Sequence, residues 1–155
     1  MLTETGLAPG NLVLEITEDA VMEDARYAIG ALEELKSMGV RLAIDDFGTG
    51  RSSLAYLKRL PVDYLKIDRS FVERLGEDLK GVEIVSGTLA LARALSLRTI
   101  AEGVETQAQL ERLNEMGCDL AQGNLFSEPL GADAMKRYLE KGWSIPGDPH
   151  RIPAT

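Results

Sequence analysis

RLAIDDFGTGRSSLAYLKRLPVDYLKID, residues 41–68, is the stretch on which the fold turns. An apolar run, Arg41 to Asp45, ends in the adjacent acids Asp45 and Asp46. A glycine-containing loop follows, then helical spacing from Ser53 to Arg59, which Pro61 stops before a second apolar run, Tyr64 to Ile67. Strand, helix, strand at this spacing is the mark of a parallel sheet with a crossover helix.

The alternation continues on both sides. Strands are expected at Leu12 to Ile16, Thr99 to Glu102 and Asp119 to Gln122, and helices at Asp24 to Ser37, Val82 to Leu95, Gln107 to Met116 and Ala132 to Lys141. Gly39 and Gly117 follow two of these helices, where a left-handed C-cap belongs. Ala28, Ala31, Leu32 and Leu35 form a helical apolar stripe, which reads as core. The result is an α/β chain of about five βα units. A five-stranded flavodoxin-like sheet fits the length, whereas a complete eight-unit barrel needs roughly 250 residues.

Composition narrows the function classes. A net charge of −8 and a pI near 4.7 supply no basic face for duplex nucleic acid. No apolar run reaches the ~20 residues of a membrane span, and the start MLTETGLAPG is not a signal peptide. Cys118 is the sole cysteine, which suits a reducing cytoplasm. The last residues, 143–155, WSIPGDPHRIPAT, are rich in proline and without period, so an irregular or disordered tail is expected there, with residues 1–142 as the folded unit. His150, the one histidine, falls in that tail and is an improbable ligand.

In parallel α/β folds ligands bind at the carboxyl ends of the strands, and every expected strand here ends in a polar group. These are Glu15 with Glu18, then Asp45 and Asp46, then Lys66 and Asp68, then Glu102 with Glu105, and last Gln122. Oxygen donors in this number favour Mg²⁺ or Mn²⁺, and no Cys and His set is placed for zinc. Strand alternation should send Asp45 and Asp46 in different directions, each to its own cation or bridging two. Lys66 could add positive charge beside a phosphate or hold the attacking water. Taken singly, each has a plainer reading: an Asp-Asp pair is more often a cap, and a lysine more often solvated. Glu102, inside the apolar Thr99 to Val104, is harder to set aside, because a buried carboxylate needs a partner. The loop Phe47 to Ser53 reads as a mobile cover, which Glu18 could pin, unless Glu18 pairs with Arg26 instead.

Together, LeuGluIleThrGlu (14 to 18), AspAspPheGlyThrGly (45 to 50), LeuLysIleAsp (65 to 68), AlaGluGlyValGluThr (101 to 106) and AlaGlnGlyAsnLeuPheSer (121 to 127) resemble the successive signatures of EAL domains, over nearly the whole chain to about Leu139. The resemblance implies part of a TIM-type (β/α) barrel from an enzyme that hydrolyses cyclic-di-GMP to linear pGpG with two Mg²⁺ or Mn²⁺ ions. It implies metal ligation by Glu15, Asp45 and Asp46, and orientation or deprotonation of water by Lys66 and Glu102. Gln122 would support the site and Glu18 would brace the loop after Asp46, with Asp68 and Glu105 near the substrate. Arg51 and Asn124 stand where the family usually has aromatics.

The Glu-Ala-Leu segment that names the family, with its own metal-binding glutamate, is not among these residues. About three N-terminal strands are therefore missing from the barrel, and impaired activity and a homo-oligomer or partner chain at the open edges are expected. A non-catalytic module that binds the cyclic dinucleotide or another protein is the alternative. A receiver-like phosphoacceptor is disfavoured, because its acidic pair follows the first strand rather than the second.

Overall fold

The structure is a computed structural model in which residues 2–23, 25–48, 54–76 and 79–140 are described. In chain order it runs α1 (Leu2–Thr5), β1 (Val13–Thr17), α2 (Glu18–Glu23), α3 (Ala25–Ser37), β2 (Arg41–Phe47), α4 (Leu54–Leu57), β3 (Tyr64–Ile67), α5 (Arg69–Val72), α6 (Leu79–Ala94), β4 (Arg98–Ala101), α7 (Gln107–Met116), β5 (Leu120–Ala121) and α8 (Ala132–Glu140). Single 3₁₀ turns lie at Pro9–Asn11 and Glu73–Gly76. The five strands and five helices expected from the sequence are present, with ends shifted by up to three residues, although α4 is only four residues long. Gly39 and Gly117 cap α3 and α7 in the left-handed region, at φ +85° and +78°. Two short helices that the sequence reading did not include, α2 and α5, follow the ends of β1 and β3. The 143–155 tail lies outside the described residues.

All strands are parallel and follow the order β1-β2-β3-β4-β5, each beside its predecessor. A flavodoxin-like sheet reverses direction at a switch point, with order 2-1-3-4-5. The singly wound order is that of a (β/α) barrel and excludes the doubly wound alternative. Among the described residues, the outer edges of β1 and β5 have no strand partner.

Register sorts the side chains into two faces. Leu14, Ile16, Leu42, Ile44, Leu65, Ile67 and Ala101 face the helices, and most are buried. They pack in two contiguous clusters: one with Val21, Leu32 and Leu57, the other with Val85, Leu89 and Leu113. Each such side chain removed from water contributes about 1.5–3 kcal/mol, so this layer holds the sheet to its helices. The opposite parity gives the second face: Glu15 and Thr17, Ala43 and Asp45, Tyr64 and Lys66, Arg98 and Ile100, with Glu102 and Gln122 one step beyond their strands.

The amino ends of the strands are fastened by paired devices. Asp63 takes Lys36 Nζ at 2.7 and 2.8 Å and accepts from the Leu42 amide at 2.8 Å. Asp119 accepts from both the amide and the hydroxyl of buried Thr99 at 2.8 Å. Burial raises the Asp119 carboxyl, but the Thr99 hydrogen bonds and the Arg98 and Arg93 charges outweigh it and hold it below its ordinary value. A depressed folded-state pKa contributes stability at all pH above the ordinary aspartate value and loses it as pH falls through the folded one. Acid titration of stability should therefore show a component below pH ~4 that D119N removes; an identical acid limb in D119N would contradict it.

Candidate active site and metal centre

Lys66 is the hub of the rim. Its side chain is 2% exposed, and its ammonium lies 2.6 Å from Glu15 Oε2, 2.7 Å from Glu102 Oε1 and 3.0 Å from Asp45 Oδ1. The register explains the convergence, since β1, β2, β3 and β4 are adjacent and these residues share one face, with Glu15 opposite Ala43, two positions before Asp45, and Glu102 two positions past Ile100, the partner of Lys66. A solvated surface lysine is thereby ruled out. Burial alone would lower the ammonium pKa; the hydrogen bonds to Glu102, Glu15 and Asp45 overcome that and hold it above its ordinary value. Lys66 is a fixed positive charge at neutral pH.

The expectation that Asp45 and Asp46 diverge is corrected by the backbone. Pairing between β2 and β3 shifts register between Ile44 and Phe47, and Asp46 adopts φ +56°. A bulge with a residue in the left-handed region breaks the period of two. As a result, Asp45, Asp46 and Glu102 each place one carboxylate oxygen within 4.8 Å of the others. These hard oxygens, with no sulfur or imidazole beside them among the described residues, fit Mg²⁺ or Mn²⁺. Slight desolvation at the bulge, followed by the Asp45 and Asp68 charges, raises the carboxyl of exposed Asp46, the electrostatic state that a cation relieves. Burial likewise raises Glu102, against the opposing pull of Lys66.

The supporting residues divide. Gln122 donates from Nε2 to Glu102 Oε1 at 2.8 Å, so Glu102 is held from two strands. Glu18, 4% exposed, accepts from the Gly48 amide at 3.2 Å, which ties the start of the loop after Asp46; its other oxygen has no hydrogen-bond partner among the described residues. Of the loop Phe47 to Ser53, expected as a mobile cover, Phe47 instead ends β2 and is buried in the core, while residues 49–53, like the Arg26 side chain, lie outside the described residues. Asp68 is spent on capping α5, accepting from the Ser70 amide at 3.0 Å. Glu105 is drawn away to Arg69 at 3.4 Å. Glu15 touches the site through Lys66.

Sequence reasoning did not single out Arg69, which follows Asp68 and lies over Gly103. A charge directly after a strand-end acid was the available signal. Nor did it mark Gly123, where a Cβ would come within 2.3 Å of both Val104 N and O. That backbone is pinned, since Val104 N donates to Gln122 O at 3.0 Å and Val104 O accepts from Leu125 N at 2.9 Å. Gly123→Ala should therefore cost about 3 kcal/mol in urea unfolding, and a loss under ~0.5 kcal/mol would show that the turn gives way freely.

Comparison with known proteins places this geometry. The EAL domain family model matches residues 1–129. The cyclic di-GMP phosphodiesterase NbdA of Pseudomonas aeruginosa is 50% identical over 138 residues, 89% of this chain and 18% of that protein. The crystal structure of the EAL domain of Mycobacterium smegmatis DcpA superposes with a TM-score of 0.85 at 45% identity, covering 98% of this chain and 65% of that one. A manganese and cyclic-di-GMP complex of Klebsiella pneumoniae BlrP1 superposes with a TM-score of 0.76 at 35% identity, covering 83% and 33%. The chain thus spans less than two thirds of the relatives it matches. Among the described residues, no helix is long and apolar enough to cross a membrane.

Proposed function

Because this chain belongs to the EAL domain family, we propose that its acidic rim forms most of a metal-dependent site for hydrolysis of cyclic-di-GMP to linear pGpG. The supporting observation is the cluster itself: Asp45, Asp46 and Glu102 within mutual reach of one cation, with Asp45 and Glu102 locked to a buried lysine. Asp45, Asp46 and Glu102 would hold Mg²⁺ or Mn²⁺, with Glu15 beside them as the further candidate ligand in a two-metal arrangement. Such a cation lowers the pKa of a bound water and neutralises charge gathering on a phosphodiester.

The chain's own groups do the rest. Lys66 gathers Glu15, Asp45 and Glu102 around one ammonium and keeps them aimed, and its charge would offset negative charge developing on a nearby phosphate. Lys66 and Gln122 both occupy Glu102 Oε1, which leaves Oε2 for the cation or for accepting the water proton. Water oxygen bonds to phosphorus, one P–O3′ bond breaks, and the leaving 3′ oxygen takes up a proton. Glu18 would brace the loop after Asp46, while Asp68 and Glu105, engaged with the α5 cap and with Arg69, would act on the substrate only as the border of its rim. A cyclic dinucleotide substrate would favour a cytoplasmic location, as does the single cysteine.

The face carrying the site is half open: Glu15 is 46% exposed in its side chain, and Val13 and Leu120 expose 36% and 40% at the two edge strands. Residues 1–142 are read as the C-terminal part of the barrel, so upstream strands, a second copy or a partner chain would cover these edges. This chain alone should turn over little substrate. Cyclic-di-GMP turnover with Mn²⁺ should rise sharply in a version extended at the N-terminus. Equal turnover in both would refute the need for the upstream part, and none in either would refute the hydrolase reading. The same open edges favour a second reading, a module that binds the dinucleotide without cleaving it. Calorimetric binding without product by the extended chain would select that one.

A further inference from the structure

Glu102 carries much of the site, yet it lies just past β4, at the head of the turn 102–105. Its amide donates to Ile67 O at 3.1 Å, and beyond that point the ladder between β3 and β4 ends. Something else has to hold the turn that presents it. On one side stands the Gly123 backbone against Val104, described above. On the other side stands Arg69, the first residue of α5.

The packing of Arg69 is unusual for an exposed residue. A Cβ built on Gly103 would lie 2.4 Å from Arg69 Cγ, 2.8 Å from its Cβ and 2.9 Å from its Cδ. Gly103 sits at φ +67°, where a side chain is strained in any case. The arginine stem thus occupies the room that a side chain at 103 would need. Its head is tied at both ends: Nε to Glu73 in the 3₁₀ turn after α5, and Nη2 to Glu105 at 3.4 Å, on the far side of the glycine. The side chain spans the turn like a strap from Glu73 to Glu105, next to Glu102.

We propose that Arg69 is a positioning residue for Glu102, strapping the turn across Gly103 so that the Glu102 carboxylate stays in register with Asp45, Asp46 and Lys66. The inference rests on the cation-holding reading of that cluster. Arg69 is 59% exposed, and exposed ion pairs contribute little to stability. A purely structural role would therefore show, if at all, in melting temperature, whereas positioning shows in cation affinity.

Mn²⁺ alone, titrated by calorimetry into this chain, separates the cases. Arg69→Ala should melt within a few degrees of wild type and bind Mn²⁺ about tenfold more weakly, the range for residues that orient a metal ligand from behind. Arg69→Lys keeps the stem on Gly103 and one of the two ties, and should recover most of the loss. Should R69A fail to fold, Glu105→Gln cuts the far tie at an exposed position and should weaken Mn²⁺ binding in the same direction. Wild-type Mn²⁺ affinity in R69A, with E102Q clearly weakened, overturns the strap. Absence of saturable Mn²⁺ binding in the parent chain overturns the cation-holding reading instead.

Discussion

Lys66→Met is expected to destabilise this chain by about 3 kcal/mol, the low end of the range for removing one partner of a buried ion cluster. Methionine preserves the apolar stem and its length, so the loss isolates the charge. Three carboxylates, Glu15, Asp45 and Glu102, would then face one another without the ammonium that now touches all three. Their partial exposure, 46%, 22% and 17%, keeps the penalty from rising further, because water can reach them. The raised lysine pKa sets the pH window: the charge contributes fully below the ordinary lysine value and is lost only as pH climbs through the folded one. The K66M deficit should therefore be flat from pH 6 to 9. Added Mn²⁺ should restore part of it, since the orphaned carboxylates are then free to share a cation. In the N-terminally extended protein, turnover should fall by at least ~100-fold. Urea midpoints of K66M equal to wild type would mean that the cluster carries no net interaction.

Asp46→Gly separates stability from function in the opposite sense. Asp46 sits at φ +56° in the bulge of β2, where a non-glycine residue pays a backbone cost, and its exposed carboxyl is raised by slight desolvation and by the charges of Asp45 and Asp68. Glycine removes both penalties and also one of the three convergent oxygens. The variant should therefore be as stable as wild type or up to about 1 kcal/mol more stable without metal. Its Mn²⁺ affinity should fall roughly hundredfold, and extended-protein turnover with it. This combination is the pattern of a residue retained for what it binds rather than for what it packs. A D46G protein that is less stable and still binds Mn²⁺ normally would place the function of the bulge elsewhere.

Much of this was legible in the residues because parallel strands bury both faces. Short apolar runs between helical stretches gave the βα order, and β3 and α7 fall on the expected residues, Tyr64–Ile67 and Gln107–Met116. The polar group at each strand end was equally visible, and register then puts Glu15, Asp45, Lys66, Glu102 and Gln122 on one face. Flavodoxin-like and barrel-like sheets share that local pattern, so the strand order had to come from tertiary pairing. The convergence of Asp45 and Asp46 was hidden for a related reason. Period-two alternation assumes a regular strand, and the bulge depends on how β2 meets β3. Lys66 alone reads as surface because its burial is created by three neighbours that are 51, 21 and 36 positions away in sequence (66 − 15, 66 − 45, 102 − 66). Short helices such as α2 and α5 carry too few turns to leave a periodic trace.

The account rests on divalent cation binding by three carboxylates drawn from two strand ends. Anomalous diffraction at the manganese edge, from crystals of this chain grown with Mn²⁺, addresses that directly. The predicted result is a peak within coordinating distance of Asp45, Asp46 and Glu102, absent in D46G. Manganese bound only at other acidic patches, with Asp45 and Glu102 still closed around Lys66, would contradict it.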